Sequence, residues 1–450
     1  MKTKRRKLSV WQMLALSYLF GMILGSVLLI LPFATKDGQN TTYINSLFTA
    51  ASAVSLTGLA PYDTATHWSL FGQLVILFLI QMSGLGFMTL VSTAFLVFRH
   101  TMSLSTRNVF MLDSSGGNLS GIKTLLKRIV LGTLIFETAG ALLLMIRFIP
   151  DYGAGNGIYF SVWHSVSAFC NAGFDVLGTT ANKFVSLSGY VNDPLVNLTI
   201  CALIVLGGLG FAVWSDILDC KLNFKKFQLN TKVVLIVNAT LIVSSCALFI
   251  LFEWNNAEYA SFSFGEKLLA SLFCSITPRT AGFSTVSSTS LSDSGFLLTT
   301  VLMFIGGSSG STAGGMRVGT FAVIITGMFA SFRGKRDINI GKRRIDHSLL
   351  SRSLAILAAM LMILIVSVGA ICAIQPETGI FKEVTFECVS ALSNTGLSMD
   401  FTPKLKTASS IIIIILMYAG RVGILTLGLA LGQTKATAEI RRPVDNLLIG

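Results

Sequence analysis

Ser52-Ala53-Val54-Ser55-Leu56-Thr57-Gly58-Leu59 reads as the end of a short apolar helix running into a glycine turn. The same figure returns as Ser167-Ala168-Phe169-Cys170-Asn171-Ala172-Gly173-Phe174, then as Ile276-Thr277-Pro278-Arg279-Thr280-Ala281-Gly282-Phe283. It closes as Ser390-Ala391-Leu392-Ser393-Asn394-Thr395-Gly396-Leu397. The successive glycines lie 115, 109 and 114 residues apart. A single Thr-Gly or Ala-Gly after an apolar segment is normally a helix C-cap. Caps have no reason to recur four times at matching depth, so the recurrence points to a repeated architecture.

Each octapeptide closes a half-length apolar segment, at 43–54, 158–169, 266–277 and 380–392. These are too short to cross a bilayer and read as re-entrant helices. They alternate with eight longer apolar runs at about 11–31, 70–98, 128–149, 195–218, 231–252, 296–330, 352–374 and 409–432. The expected fold is an all-α integral membrane protein with eight transmembrane helices. It consists of four tandem repeats of span, re-entrant helix and span (11–98, 128–218, 231–330 and 352–432) around one pseudo-fourfold axis. Composition agrees: 52% of residues are hydrophobic and only 12% charged, too few charges to cover a soluble surface of this size. Nothing Pro/Ser/Gly-rich marks a linker, so residues 1–450 read as a single membrane domain.

The net charge of +13 follows topology. The N-terminus, the 99–128, 219–232 and 333–352 connections and the C-terminal tail hold 5, 5, 4, 7 and 3 basic residues, 24 of the 34. Both termini are therefore expected in the cytosol, with the half-length helices entering from outside. This placement removes the nucleic-acid reading and leaves contact with anionic membrane lipid. The basic start Lys4-Arg5-Arg6-Lys7 resembles a signal sequence, but the long apolar run behind it lacks a small-x-small site and reads as a retained span. Seven scattered cysteines form no CxxC pair and read as small buried hydrophobes. His67, His100, His164 and His347 do not group, which argues against a membrane enzyme.

A second glycine cluster follows each turn: Ser83-Gly84-Leu85-Gly86-Phe87, Gly207-Gly208-Leu209-Gly210-Phe211, Gly306-Gly307-Ser308-Ser309-Gly310 and Ala419-Gly420-Arg421-Val422-Gly423. The third is the longest. Gly306, Gly307, Ser308, Ser309, Gly310, Ser311, Thr312, Ala313, Gly314 and Gly315 interrupt the sixth span, either as a kink or as irregular backbone beside a cavity. Arg421 lies inside an apolar span, where a charge is costly and marks a functional position; a structural ion pair is the alternative. Arg317 is a weaker case, and Glu137 a possible partner for an arginine.

Four loops of small residues around one axis suit a cation. Rings of backbone carbonyls replace its hydration shell. Glycine permits the backbone angles that turn those carbonyls inward, and re-entrant helices aim their negative C-terminal ends at the ion. On these motifs the whole chain resembles the pore subunits of the Trk/Ktr/HKT superfamily of cation transporters, nearest the bacterial Ktr type. The resemblance implies potassium uptake through a filter of Leu56, Thr57, Gly58, Asn171, Ala172, Gly173, Thr280, Ala281, Gly282, Asn394, Thr395 and Gly396. Glycine at all four positions goes with potassium, the only metal ion expected.

The resemblance makes 306–315 a mobile gate loop and Arg421 an electrostatic barrier below the filter. It also implies a homodimer and a separate cytosolic ring of nucleotide-binding regulatory subunits. The 333–352 and 113–122 connections lie on the side to contact that ring. No nucleotide site or other cofactor is expected in this chain. The alternative function is a secondary transporter coupling cation or small-solute movement to sodium or protons.

Overall fold

The computed structural model describes residues 9–36, 39–86, 122–221, 223–335 and 337–431. These are helical apart from one short β-hairpin, in which Ile338–Ile340 pairs antiparallel with Arg343–Ile345. The charge pattern marks that stretch only as a basic connection. Its cause is local: residues alternate on either side of Gly341, whose φ of 61° suits a two-residue turn.

Four helices are long and apolar enough to cross a bilayer: Trp11–Leu29, Leu125–Phe169, Leu229–Glu253 and His347–Ile374. The number rises to six if each of two sharply bent helix pairs is one span. Val243, Leu251, Ile365 and Val366 on these helices are each about 70% exposed, a burial pattern inverted from that of a water-soluble protein and suited to lipid. The chain is thus a multi-pass, all-α membrane protein.

Several spans differ from the runs read in the sequence. The runs 195–218 and 409–432 are not straight: Pro194–Leu209 meets Phe211–Asp219 at 90°, and Thr407–Val422 meets Ile424–Ala430 at 91°. The cause is a glycine in a conformation no helix contains, Gly210 at φ 96° and Gly423 at φ 88°. The run 296–330 divides into Asp293–Ile305 and Val318–Phe332. The runs 128–149 and 158–169 are separate helices within Ile122–Phe169, divided where Gly153 takes φ 79° and ψ 166° just after Pro150. Leu70–Gly84 begins the second run, whose remainder from residue 87 lies outside the described residues.

Three of the half-length helices, Tyr43–Ser55, Phe264–Ile276 and Phe381–Ser393, have 13 residues each. That length is about 20 Å, well short of a hydrocarbon core. Thr42 caps the first, and Ser263 with Glu266 forms a capping box on the second. Their far ends converge at the centre, where Phe48, Phe169, Phe273 and Leu392 are almost wholly buried.

A polar clasp ties the first helix to the second span. Ser69 donates its backbone N–H to the Ala34 carbonyl (2.9 Å) and its hydroxyl to that of Phe33 (2.6 Å). Gly72 sits under this clasp: a Cβ there would collide with the Ala34 carbonyl and come within 3.2 Å of Trp68. Gly72→Val is therefore expected to cost about 1–3 kcal/mol through overpacking, read as a lower thermal unfolding midpoint in detergent. Gly369→Val is the control. It lies in a helix with nothing within 4 Å of the added carbon and should leave the midpoint in place.

Candidate functional site

Each half-length helix ends in the same backbone figure. Leu56, Asn171, Thr280 and Asn394 are left-handed, with φ of 58°, 56°, 71° and 54°. Two residues later Gly58, Gly173, Gly282 and Gly396 have φ of 97°, 70°, 77° and 88°. In three turns the residue before the glycine donates to the carbonyl five positions back: Thr57 to Ser52 (2.9 Å), Ala172 to Ser167 (2.8 Å) and Thr395 to Ser390 (2.9 Å). This is the closing bond of a Schellman-type helix end. The third turn departs from it, with Ala281 donating to Thr277 instead (3.0 Å). Pro278, which has no N–H, sits within that turn.

The turns close on one another. A Cβ on Gly58 would lie 2.6 Å from the Ala172 oxygen, one on Gly173 2.8 Å from that of Ala281, and one on Gly282 2.7 Å from that of Thr395. One on Gly396 would collide with the Thr57 oxygen. The contacts run first to second, second to third, third to fourth and back to first. Leu56, Thr57, Asn171, Ala172, Thr280, Ala281, Asn394 and Thr395 are buried behind or between the glycines. All twelve residues singled out in the sequence thus meet at one place.

Hydroxyls hold the ring from outside. Ser52 and Ser390 accept the N–H of Gly58 and Gly396, each at 3.0 Å. Ser167 donates to the Phe174 carbonyl at 2.8 Å, and Thr277 to that of Phe283. Asn394 donates to Thr57 at 3.0 Å and joins the last turn to the first. The sequence carries a signal for this support, since serine heads three of the four octapeptides.

On one side the four glycines line a vestibule of about 560 Å³, bordered also by Asp175, Lys183, Glu258 and Asp400. On the other side lies the loop 306–315. Its Ser308 and Thr312 N–H groups donate to Gly208 (3.2 Å) and Gly207 (3.4 Å), and its Gly310 carbonyl accepts from Phe211 (3.0 Å). Gly314 abuts the Ser393 carbonyl and Asn394 so closely that any Cβ would collide. Beyond the loop a polar cavity of only about 40 Å³ remains among Tyr18, Gly86, Ser311, Arg317 and Arg421.

Both arginines bond to this loop. Arg317 donates to the carbonyls of Ser308 (3.1 Å) and Ala313 (2.6 Å). Its φ of 79° and ψ of 133° match those of Gly423, at 88° and 131°. The helix Val318–Phe332 thus begins from the same conformation that precedes Ile424–Leu431, without a glycine there. Arg421 donates to Thr312 (2.6 Å) and Ser83 (2.7 Å) and stacks over Tyr18. These partners are carbonyl oxygens, so the ion-pair alternative for Arg421 does not describe its contacts. Glu137 likewise meets Gln81 (3.1 Å) and the Cys170 thiol (3.8 Å) where an arginine was considered.

The pattern of the TrkH family, described as cation transport protein, matches residues 20–435. The chain belongs to that family. It is 37% identical over its whole length to the potassium/sodium uptake protein NtpJ of Enterococcus hirae, covering 99% of that protein. It is 37% identical to the Ktr system potassium uptake protein B of Bacillus subtilis, over 98% of this chain and 96% of that one. The crystal structure of the potassium transporter TrkH from Vibrio parahaemolyticus superposes with a TM-score of 0.72 at 18% identity, over 96% of this chain and 86% of that one. This TrkH family member therefore shares the fold of that transporter.

In this family member the two Arg421 bonds fasten the loop to the end of Leu70–Gly84. Charge-assisted hydrogen bonds of this kind contribute about 1.5–3 kcal/mol each. Arg421→Met is expected to speed labelling of a cysteine placed at Ser311 by a polar thiol reagent by at least about tenfold, since the bond to Thr312 alone contributes about 1.5 kcal/mol or more. Labelling rates with and without the substitution, the native cysteines having been replaced, check this.

Proposed function

We propose that this chain is the pore-forming subunit of a Ktr-type potassium uptake system in the cell membrane, both termini cytosolic. It would comprise eight spans in four repeats, at 11–98, 128–218, 231–330 and 352–432. The observation that carries the reading is the closed ring of four like turns, each packing a carbonyl against a neighbouring turn's glycine, with the four glycines lining a wide vestibule. Such a ring replaces the hydration shell of a cation with backbone oxygen. Relatives named as potassium uptake proteins at 37% identity supply the ion.

Leu56-Thr57-Gly58, Asn171-Ala172-Gly173, Thr280-Ala281-Gly282 and Asn394-Thr395-Gly396 form the selectivity filter in this reading. The loop Gly306–Gly315 is its gate. The contrast between a 560 Å³ vestibule and a 40 Å³ inner cavity supports a closed inner path. Arg421 holds the loop across that path and sets a positive charge beside it. Opening then requires the carbonyls of Thr312 and Ser83 to be released.

A transported ion and no enzymatic cofactor follow from this role. The proposal extends to a homodimer controlled by a cytosolic nucleotide-binding ring; the Ktr-system naming of a relative supports a regulatory partner only. Of the two connections proposed to meet it, 333–352 is described apart from residue 336, while 113–122 lies outside the described residues up to 121.

Potassium and sodium uptake, measured in a host lacking its own potassium uptake and supplied with a cytosolic partner, tests the reading. The intact chain is expected to take up potassium. Gly58→Ser adds a side chain at φ 97°, with its Cβ 2.6 Å from the Ala172 oxygen, and is expected to lose selectivity against sodium. A serine variant indistinguishable from the parent, or no cation flux in either, would sink the filter assignment.

A further inference from the structure

We infer that Glu387 is a selectivity-positioning residue, which fixes the fourth carbonyl strand of the ring by anchoring the segment that follows Gly396. The inference rests on the filter reading above and goes beyond it to a residue outside the ring.

Glu387 lies in the half-length helix Phe381–Ser393 and is 1% exposed. A buried carboxylate is costly unless its oxygens are fully bonded. Here Ser398 donates its hydroxyl to Oε1, Thr402 donates its hydroxyl to Oε2 at 3.0 Å, and the backbone amides of Phe401 and Thr402 also face it. Four donors around one carboxylate wrap the segment 398–402 about it. Leu397, Met399 and Phe401 are buried on the other side of the same segment. Asp400 between them is exposed, held at φ 56°, and lines the vestibule. For a non-glycine residue that conformation persists only where its surroundings enforce it.

The same helix therefore grips the fourth turn twice. Ser390, one turn after Glu387, accepts the Gly396 N–H at 3.0 Å. Glu387 takes the strand again two residues past that glycine. Between the two holds, Gly396 and Leu397 have little freedom to rotate, and the Gly396 backbone keeps its place in the ring.

The other turns are held differently: in the second, Trp163 (2.9 Å) and Ser167 (2.8 Å) both donate to the Phe174 carbonyl just past Gly173, with no carboxylate from the helix. The residue nine positions before the glycine is Thr49, His164 and Phe273 in the first three repeats. Thr49 donates back to its own helix at Asn45 (3.0 Å), and His164 pairs through Nδ1 with Phe160 (2.7 Å). Neither reaches the strand after its turn. The second strand carries its own buried carboxylate, Asp175, bonded by the backbone amides of Leu177 and Ser186, whereas the fourth takes its carboxylate from the helix before the turn, so loss of Glu387 should appear in ion discrimination more than in assembly.

Glu387→Gln tests this, because an amide replaces one acceptor oxygen with a donor that faces other donors. The potassium-to-sodium uptake ratio is measured for the full chain with its cytosolic partner, beside membrane abundance and detergent melting. The ratio is expected to fall about fivefold or more, the weight of roughly one lost hydrogen bond, with abundance retained. Ser398→Ala/Thr402→Val should reproduce the fall, and the triple variant should add little to it, since all three changes break one unit.

An unchanged ratio in Glu387→Gln overturns the inference while the filter reading stands. So does a fall in the ratio that the Ser398→Ala/Thr402→Val pair fails to share. If Glu387→Gln does not accumulate, the Ser398→Ala/Thr402→Val pair decides alone, with the same two outcomes. If the parent chain takes up no potassium, the filter reading fails and this inference falls with it.

Discussion

The close contact between each ring glycine and the carbonyl oxygen of the next turn is the constraint on which the rest of the molecule depends. At 2.6–2.8 Å from an imagined Cβ in three contacts, and closer in the fourth, no side chain fits at Gly58, Gly173, Gly282 or Gly396. Four helices must therefore deliver four turns to one point in the same left-handed figure. The 13-residue length that three of them share, their small residues near the end and the hydroxyls that bond back onto the turn all serve that delivery. The long apolar spans act as the frame that holds the helix ends together.

Directly against the ring, the loop 306–315 is packed by a different principle. Few of its residues have side chains able to fill space, so its position is set by backbone hydrogen bonds and by two guanidinium groups. Polar contacts of this kind are each modest in net strength, because water competes for the same groups. An apolar core must lose its packing to move, whereas such a loop needs only an exchange of partners. That makes 306–315 the least costly element near the ring to displace.

The four like turns and the twelve residues that meet there were legible because their signal is spacing, which survives divergence of the intervening residues. The break between Asp293–Ile305 and Val318–Phe332 was legible from its glycine content. The right-angle breaks at Gly210 and Gly423 were missed, since a glycine in an apolar run reads equally well as a helix-packing contact. The division between 128–149 and 158–169 was legible because Pro150 and Gly153 are residue types that end helices, and the backbone does leave helical angles at Gly153. The role of Arg421 was half legible. Its cost in an apolar span was plain, but its carbonyl partners Thr312 and Ser83 lie 109 and 338 positions away in the chain, beyond any local pattern. The anchoring of the segment after Gly396 by Glu387 belongs to the same class of long-range polar contact.

That one chain supplies all four turns has a consequence for inheritance. In a ring assembled from identical subunits, one codon change alters every turn at once, and the outcome is usually all or nothing. Here each turn has its own codons, and Leu56-Thr57, Asn171-Ala172, Thr280-Ala281 and Asn394-Thr395 have already drifted apart. Mutation can adjust this ring one quarter at a time, through intermediate forms that a symmetric assembly could never visit.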